Sequence, residues 1–200
     1  MFTGIIEATG HISAIETNGE DSRFVFNTEK LELSDMKLGD SISVNGVCLS
    51  IVKKENNSFS ADLSKETLSL TSFSNLKVGS RINLEKAMML SDRINGHMVS
   101  GHVDGIGKIL NKVDEGRSIK YTIEFPAELT RFISKKGSVS VDGVSLTVND
   151  VVNNKDNNTF DVNIIPHTLS ETIFLEYEKN AEVNIEVDQI VRYLDQLINK

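Results

Sequence analysis

The sequence predicts a mostly β protein that repeats one small unit in tandem and ends in an α-helix. Short motifs recur in the same order in the two halves of the 200-residue chain, which indicates a duplication. Polar and apolar residues alternate over short runs between turn residues, which is typical of strands. About six such runs per unit favour a small closed barrel, and a two-sheet sandwich is the alternative that alternation alone does not distinguish.

Three sequence blocks carry the duplication. They are VNGVCLSIV at 44–52 with VDGVSLTVN at 141–149, TLSLTSF at 67–73 with TLSETIF at 168–174, and INLE at 82–85 with VNIE at 183–186. The first pair is offset by 97 positions and the other two by 101. The second unit is therefore longer by four residues between 149 and 160, where the run NNKDNNT predicts a hairpin tip.

The repeat divides the chain into four predicted parts. Residues 1–86 and 98–187 form an N-terminal and a C-terminal barrel, residues 87–97 connect them, and residues 188–200 form the terminal helix. Each barrel can bury only a small core, so support from a partner or from oligomerisation is expected.

The composition argues against several classes of function. A net charge of −8 without a basic stripe argues against nucleic-acid binding, and no apolar run is long enough to span a bilayer. The single cysteine, Cys48, excludes an internal disulfide and predicts a cytoplasmic location, and the first ten residues do not resemble a secretory signal. Four scattered histidines and one cysteine predict no metal site, and no glycine loop for a dinucleotide or phosphate is present.

Two matched hairpins are predicted, together with further strands. Asn45-Gly46 and Asp142-Gly143 each lie between alternating runs, and such dipeptides favour tight hairpin turns. The other predicted strands are 5–15, 23–27, 59–63, 82–86, 102–110, 120–125, 160–164 and 183–187.

Helices are predicted in the connections and in the tail. Residues 127–134 follow Pro126, which suits the first turn of a helix, and 64–73 and 166–174 are short helical connections. The tail either packs on its own barrel or bundles with the same helix of other subunits. Its apolar stripe over 188–199 consists of Ile190, Val191, Leu194, Leu197 and Ile198.

Small polar side chains lie at matched positions in the two hairpins. Ser145 and Thr147 alternate with apolar neighbours, and Cys48 and Ser50 do the same in the first unit. If the apolar residues face the core, these four side chains point into a ligand cleft or lie on the wet face of an edge strand. Their recurrence in both units favours the cleft, although Cys48 also suits a buried small apolar position.

A few other polar residues allow two interpretations each. Thr67 and Thr168 match each other, and they act as helix caps or as ligand contacts. His102, in SGHVDG, is a loop histidine or a general acid–base group near neutral pH, and His97 shares that neighbourhood.

Seven motifs, taken in order, are spread over nearly the whole chain: MFTGIIE, VNGVCLSIV, LSKETL, GHMVSGHVDG, KGSVSVDGVSLTV, IPHTL and VNIEVD. Together they resemble riboflavin synthases of the alpha-chain type. The resemblance implies two similar six-stranded, Greek-key-like closed β-barrels and a C-terminal helix that assembles a homotrimer. It also implies a transferase, in which one molecule of 6,7-dimethyl-8-ribityllumazine gives a four-carbon unit to a second one. The products are riboflavin and 5-amino-6-(ribitylamino)uracil.

The implied reaction agrees with the missing cofactor motifs, because donor and acceptor are the same compound. By the same resemblance, each barrel binds one lumazine. The N-terminal barrel of one subunit faces the C-terminal barrel of its neighbour, and this proximity supplies much of the rate. Association with lumazine synthase is an open alternative.

The resemblance carries site residues across motif by motif. In the N-terminal barrel they are Phe2, Gly4, Ile5, Ile6, Ser41, Cys48, Leu49, Ser50, Asp62, Leu63, Ser64, Lys65, Glu66 and Thr67. In the C-terminal barrel they are Gly101, His102, Val103, Lys136, Ser145, Leu146, Thr147, Ile165, Pro166, His167, Thr168, Leu169 and Ser170, and Asp188 follows at the start of the tail. The residues expected in catalysis are Phe2, Ser41, Cys48, His102, Lys136, Ser145, Thr147 and Asp188.

The resemblance also implies roles. Ser145 and Thr147 supply or position a nucleophile or water, whereas Cys48 and His102 transfer protons or orient substrate. Backbone groups of 62–67 and 165–170 hold the pyrimidine-like edge and the ribityl chain. Ser50 stands where the family usually has Thr, which keeps the hydroxyl and removes a methyl group.

Two other functions fit parts of the sequence. A lumazine-binding antenna protein would hold one ligand without chemistry, but both units keep their hydroxyl or thiol groups and their KETL or PHTL segments. A flavin-binding barrel of a reductase would need an adjoining nucleotide domain, for which two barrels leave no room.

Overall fold

The computed structural model describes residues 1–28, 30–154 and 157–199. It confirms a mostly β protein with two similar units and a C-terminal helix. The first unit contains β1 (Ala8–Asn18), β2 (Asp21–Thr28), β3 (Ser41–Val44), β4 (Val47–Lys54), β5 (Ser58–Leu63), α1 (Lys65–Leu70) and β6 (Arg81–Lys86). The second contains β7 (Gly105–Asp114), β8 (Ile119–Glu124), β9 (Ser138–Val141), β10 (Val144–Thr147), β11 (Asp150–Asn153), β12 (Asn158–Ile164), α2 (Pro166–Glu171) and β13 (Glu182–Val187), and α3 (Gln189–Ile198) follows.

The first unit is a closed six-stranded barrel with the order β1-β2-β5-β4-β3-β6. Every strand pairs antiparallel with its neighbours, and β1 closes the barrel by pairing with both β2 and β6. The inward faces bury a cluster of rings, in which Phe73 meets Phe24 and Phe26 edge to face. Burial of such large apolar surfaces is the main source of stability for so small a core.

The second unit differs from the predicted six-stranded closed barrel. It is a curled seven-stranded sheet with the order β10-β9-β13-β7-β8-β12-β11. Its two end strands, β10 and β11, together match β4 of the first unit, and the ladder is interrupted at Val148 and Asn149. The Asn149 N–H donates to the Asp161 carbonyl at 2.8 Å, so the interrupted segment still lies against β12. The predicted hairpin tip at 153–159 includes Lys155 and Asp156, which lie outside the described residues.

The two predicted tight turns are confirmed, and they meet each other. Asn45 and Gly46 have φ of 45° and 75°, and Asp142 and Gly143 have φ of 44° and 82°, as a type I′ turn requires. A Cβ atom on Gly46 would lie 2.6 Å from the Gly143 nitrogen. Glycine is therefore needed here for two reasons, its left-handed backbone and the contact between the units.

An exchange of asparagine contacts joins the units around this point. Asn184 Nδ2 donates to the Asn45 carbonyl at 2.8 Å, and Asn83 Nδ2 donates to the Asp142 carbonyl at 3.0 Å. Each asparagine Oδ1 also accepts a backbone N–H from the other unit, that of Ser72 at 2.7 Å or Ile173 at 3.0 Å. These buried groups are hydrogen-bonded in a pattern that repeats about an approximate two-fold axis.

Two segments that precede the barrels leave their own unit. We call residues 1–7 and 98–104 the leading segments. They were predicted to enter strands at 5 and 102, but β1 begins at Ala8 and β7 at Gly105. Phe2 and Val99 instead pair with each other, with N···O distances of 2.8 and 3.0 Å. The leading segments therefore cross between the units.

The predicted helices were right in kind and partly wrong in length. Residues 127–134 form only a short 3-10 helix, Ala127–Leu129. The connections 64–73 and 166–174 each divide into a short α-helix and a 3-10 turn, Ser72–Asn75 and Ile173–Glu176. Thr71 and Thr172 separate the two pieces because each side chain accepts the N–H that starts the second piece.

The tail helix is confirmed, and it does not bury its stripe on its own barrel. Ile190, Leu194, Leu197 and Ile198 are all at least half exposed. Arg192 holds the helix by donating to Asp104 Oδ2 at 2.7 Å. An unsatisfied apolar stripe of this kind is typical of a helix that packs against another chain. Within the part of the chain that the structure describes, no helix is long and apolar enough to cross a membrane.

Candidate functional site

Strands β4 and β10 present their polar side chains as alternation predicts. Cys48 and Ser145 are half-buried, whereas Ser50 and Thr147 are exposed. Between them, the side chains of Leu49 and Leu146 are buried in the two separate cores. Both leucines can therefore meet a ligand only through their backbone groups, whereas the polar side chains face away from the core.

Each leading segment completes the site on the other unit: residues 1–7 contact the Ser145 site, and residues 98–104 contact the Cys48 site. The Ser145 N–H donates to the Gly4 carbonyl at 2.8 Å, and the Cys48 N–H donates to the Gly101 carbonyl, also at 2.8 Å. A Cβ atom on Gly4 would lie 2.6 Å from Ser145 Cβ, and one on Gly101 would lie 2.5 Å from Cys48 Cβ. Both glycines have left-handed backbones, so a side chain is excluded by conformation and by space.

This exchange corrects the assignment of site residues to barrels. The predicted group Gly4, Ile5 and Ile6 belongs to the second unit, where the Ile6 side chain joins the core. The predicted group Gly101, His102 and Val103 belongs to the first unit, against whose core Val103 packs. Sequence order alone assigned each leading segment to the strands that follow it, but packing places it on the other unit.

A histidine and a serine form a short contact in the second site. The His97 Nδ1 atom lies 2.7 Å from Ser145 Oγ, and the backbone N–H of His97 donates to the Thr3 carbonyl at 3.1 Å. Burial lowers the pKa of His97, with Asp188 opposing this shift in part. A neutral ring can accept the serine proton at Nδ1. Its Nε2 atom is buried and has no hydrogen-bond partner among the described residues.

Sequence analysis favours His102 over His97 as a functional residue, and the structure distinguishes the two histidines. The His102 side chain is exposed, and its backbone N–H donates to Ser100 Oγ at 3.3 Å and Glu186 Oε2 at 3.0 Å. Both histidines follow a glycine in similar loops, so the sequence carries no signal for which of them meets Ser145. The role of His102 in proton transfer stays a prediction.

The two helical segments follow the strands that pair beside these sites. Ile51 of β4 pairs with Ala61 of β5, and the two strands are antiparallel. The end of β5 therefore lies beside Leu49, and α1 begins there. Ser64 caps α1 by accepting the Thr67 N–H at 3.2 Å, so Thr67 is not the cap that the sequence allowed. Most of the predicted residues here are exposed or half-buried: Asp62, Ser64, Lys65, Glu66, Thr67, Ile165, Pro166, His167, Thr168, Leu169 and Ser170, whereas Leu63 is buried.

Lys136 adopts a backbone conformation that is unusual for its residue type. Its φ is 68°, and the equivalent residue of the first unit is Gly39, with φ 89°. Both backbone N–H groups donate to the chain beyond the hairpin turn, Lys136 to the Val148 carbonyl and Gly39 to the Ile51 carbonyl. A lysine kept where a glycine would relieve strain is consistent with a functional side chain, which here is exposed.

The remaining predicted residues lie at the margins of the sites. Ser41 is paired with Ser50 across β3 and β4, and it lines an open groove of about 650 Å³ with Ile5. Asp188 caps α3 by accepting the Ile190 N–H at 2.9 Å. Phe2 is fully buried in the bridge between the units, which gives it a structural position.

No three metal-ligating side chains cluster anywhere in the described ranges, 1–28, 30–154 and 157–199.

Comparisons with known proteins agree with this architecture. A family model described as the lumazine binding domain matches twice, at residues 3–87 and 100–188. A riboflavin synthase of Photobacterium phosphoreum is 49% identical over 198 residues, which cover 99% of this chain and 89% of that protein. A riboflavin synthase of Bacillus subtilis is 41% identical over 200 residues, which cover 100% of this chain and 91% of that protein.

A solved structure shares the fold at lower identity. LumP complexed with riboflavin superimposes with a TM-score of 0.85 at 24% identity, covering 94% of this chain and 99% of LumP. The duplicated match and the close relatives over the full length show that the chain belongs to the riboflavin synthase family.

Proposed function

We propose that this protein is a riboflavin synthase that acts as a transferase on two molecules of 6,7-dimethyl-8-ribityllumazine. One molecule donates four carbons and leaves as 5-amino-6-(ribitylamino)uracil, and the other becomes riboflavin. The bonds lost by the donor are formed on the acceptor, so the reaction needs no external oxidant or reductant. The observation that carries the proposal is the 2.7 Å contact between His97 and Ser145, in a chain that is 49% identical over 198 residues to a protein named riboflavin synthase.

The chemistry of this pair suits the first steps. Neutral His97 accepts the Ser145 proton, which makes the hydroxyl oxygen a better nucleophile toward C7 of one lumazine. The same pair can carry a proton away from the acidic 7-methyl group of the other lumazine. In this tautomer Nε2 already carries the ring proton, so proton uptake at Nδ1 converts His97 to an imidazolium.

We propose that the working assembly is a homotrimer joined by α3. The exposed stripe of Ile190, Leu194, Leu197 and Ile198 supports this proposal because it needs a partner of matching shape. In the trimer the Cys48 site of one subunit faces the Ser145 site of its neighbour, which brings two lumazines together. The cytoplasmic location and association with lumazine synthase stay predictions.

The direct test is to mix purified protein with the lumazine, without cofactor or metal, and to follow riboflavin by chromatography. We expect catalytic formation of one riboflavin for every two lumazines consumed. The Ser13→Ala variant is a matched control, since this serine on β1 only donates to the Val25 carbonyl, at 3.1 Å. Tight lumazine binding without product would instead make the protein an antenna-like binder.

A further inference from the structure

Two buried glutamates outside the predicted site occupy matched positions in the two units. Glu85 on β6 is 3% exposed, and Glu186 on β13 is 1% exposed. Burial raises the pKa of both carboxyl groups, and the hydrogen bonds that they accept oppose this shift. A buried carboxylate is costly unless hydrogen-bond donors surround it.

Glu85 binds the first leading segment. Its Oε1 accepts the Thr3 N–H at 2.6 Å and the Thr3 hydroxyl at 2.7 Å, and its Oε2 accepts the Gly4 N–H at 3.1 Å. The carbonyl groups of the same two residues point the other way. The Thr3 carbonyl accepts from His97, and the Gly4 carbonyl accepts from Ser145. Glu85 lies in the first unit, yet its contacts lead to the site of the second.

Glu186, in the second unit, binds the second leading segment in the same way. Its Oε1 accepts the Ser100 N–H at 2.6 Å and the Ser100 hydroxyl at 2.7 Å. Its Oε2 accepts the N–H groups of Gly101 at 2.8 Å and His102 at 3.0 Å. The Gly101 carbonyl then accepts the Cys48 N–H in the first unit.

The chemistry of the contacts requires a carboxylate. Every donor on each segment is an N–H or O–H group, and an ionised carboxylate can accept on both oxygens. A glutamine amide has one accepting oxygen, so its NH₂ group would face the N–H of Gly4 or Gly101 and repel it. The left-handed glycine peptide would then lose the contact that holds it over the opposite site.

We propose that Glu85 and Glu186 are crossed positioning residues, each fixing the peptide that completes the site on the opposite unit. Glu85 thereby orients Ser145 and His97, and Glu186 orients Cys48 and the His102 backbone. The link to turnover rests on the proposed function, but the positioning itself does not.

The test compares Glu186→Gln with Glu85→Gln in the full-length protein by the rate of Cys48 alkylation with iodoacetamide. We expect Glu186→Gln to change this rate by about fivefold or more, as release of a local contact would. Glu85→Gln should leave it within about twofold, although Glu85 and Cys48 lie in the same unit. A merely structural glutamate would loosen its own unit and produce the opposite order.

The second readout follows the His97 imidazole by NMR titration. Glu85→Gln should shift the His97 titration, whereas Glu186→Gln should leave it unchanged. The positioning role is wrong if both variants affect Cys48 equally, or if each variant affects only its own unit. Riboflavin formation is assayed separately, so a protein without synthase activity would fail that assay and leave the two crossed readouts interpretable.

A milder pair of variants covers the case in which a glutamine variant does not fold. Ser100→Ala removes only the hydroxyl contacts to Glu186 and the His102 N–H. Thr3→Val removes the matching hydroxyl contacts to Glu85 and the Ile5 N–H. Ser100→Ala should change Cys48 alkylation in the same direction as Glu186→Gln but less, and Thr3→Val should change only the His97 titration. Equal effects of both variants on Cys48 would overturn the proposal.

Discussion

The two units share one scaffold but differ in the groups that face their sites. Both keep the glutamate, the asparagine and the leading-segment glycine, with nearly equal hydrogen-bond distances. The first unit presents Cys48, a free thiol, whereas the second presents Ser145 beside an imidazole. Duplication has therefore preserved the residues that hydrogen-bond the leading segments and has changed the side chains that face the two candidate sites. Two similar sites with different chemistry suit a reaction between two copies of one substrate.

A second difference lies at the matched turns. Asn45 of the first unit corresponds to Asp142 of the second, and both accept an asparagine N–H at 2.7 Å. Only Asp142 also accepts the Tyr177 hydroxyl. Burial raises the pKa of Asp142 to about 7 despite these contacts. One of the two units thus carries a titratable group at the contact between them.

The largest expected effect separates the two reacting groups. Ser145→Ala should lower turnover by about a hundredfold or more, because the His97 pair loses the hydroxyl that it activates. Cys48→Ala should lower it less, by about tenfold, since no imidazole pairs with the thiol in the described contacts. Steady-state rates of riboflavin formation measure both, with circular dichroism to confirm the fold. Normal rates in both variants would remove these residues from the mechanism.

The next largest effect is expected from removal of α3, because the two units of a single chain should not suffice for full activity. Deleting residues 189–200 should dissociate the proposed trimer and lower activity by about tenfold or more, because proximity of two bound substrates is lost. Leu194→Asp should weaken the trimer in the same way, whereas Gln196→Asp on the opposite face serves as the control. Analytical ultracentrifugation and turnover are measured together. A fully active monomer would refute a site shared between subunits.

A smaller effect is expected at the glycines that lie over the two sites. Gly4→Ala should reduce the free energy of unfolding by about 2–3 kcal/mol, because a left-handed alanine would also collide with Ser145. Gly19→Ala is a matched control with φ of 67° and open space around it, so only the conformational cost of about 1 kcal/mol applies. Urea unfolding compares the two variants. Equal losses would mean that the contact with Ser145 contributes nothing.

The smallest effect concerns pH. The pKa of Asp142 is raised on folding from 3.8 to about 7, so the folded state binds this proton more tightly. Its contribution to stability is therefore full below pH 3.8 and declines as the pH rises toward 7. Asp142→Asn, which copies Asn45, should remove a fall on the order of 2 kcal/mol between pH 5 and 8. Unfolding curves across this range check it, and an unchanged pH slope would contradict the assignment.

Local patterns of the sequence predicted much of each unit and little of how the units meet. The hairpins at Asn45 and Asp142 were predictable because type I′ turns need residues that tolerate positive φ. The outward faces of Cys48 and Ser145 followed from the two-residue period of strands. The interruption of the strand after Thr147 was not predictable, because both sequences continue the same alternation there.

The sequence by itself determined the duplication, the strand character, the terminal helix and the family. Only the tertiary structure decided that the leading segments exchange units, that His97 rather than His102 meets Ser145, and that Glu85 and Glu186 hold the exchanged peptides. The physical reason is the separation of the contacting residues along the sequence. Turns, alternation and helix stripes depend on neighbours within a few residues. These contacts instead join groups from 48 positions apart, His97 with Ser145, to 141 positions apart, Gly4 with Ser145, and packing alone brings them together.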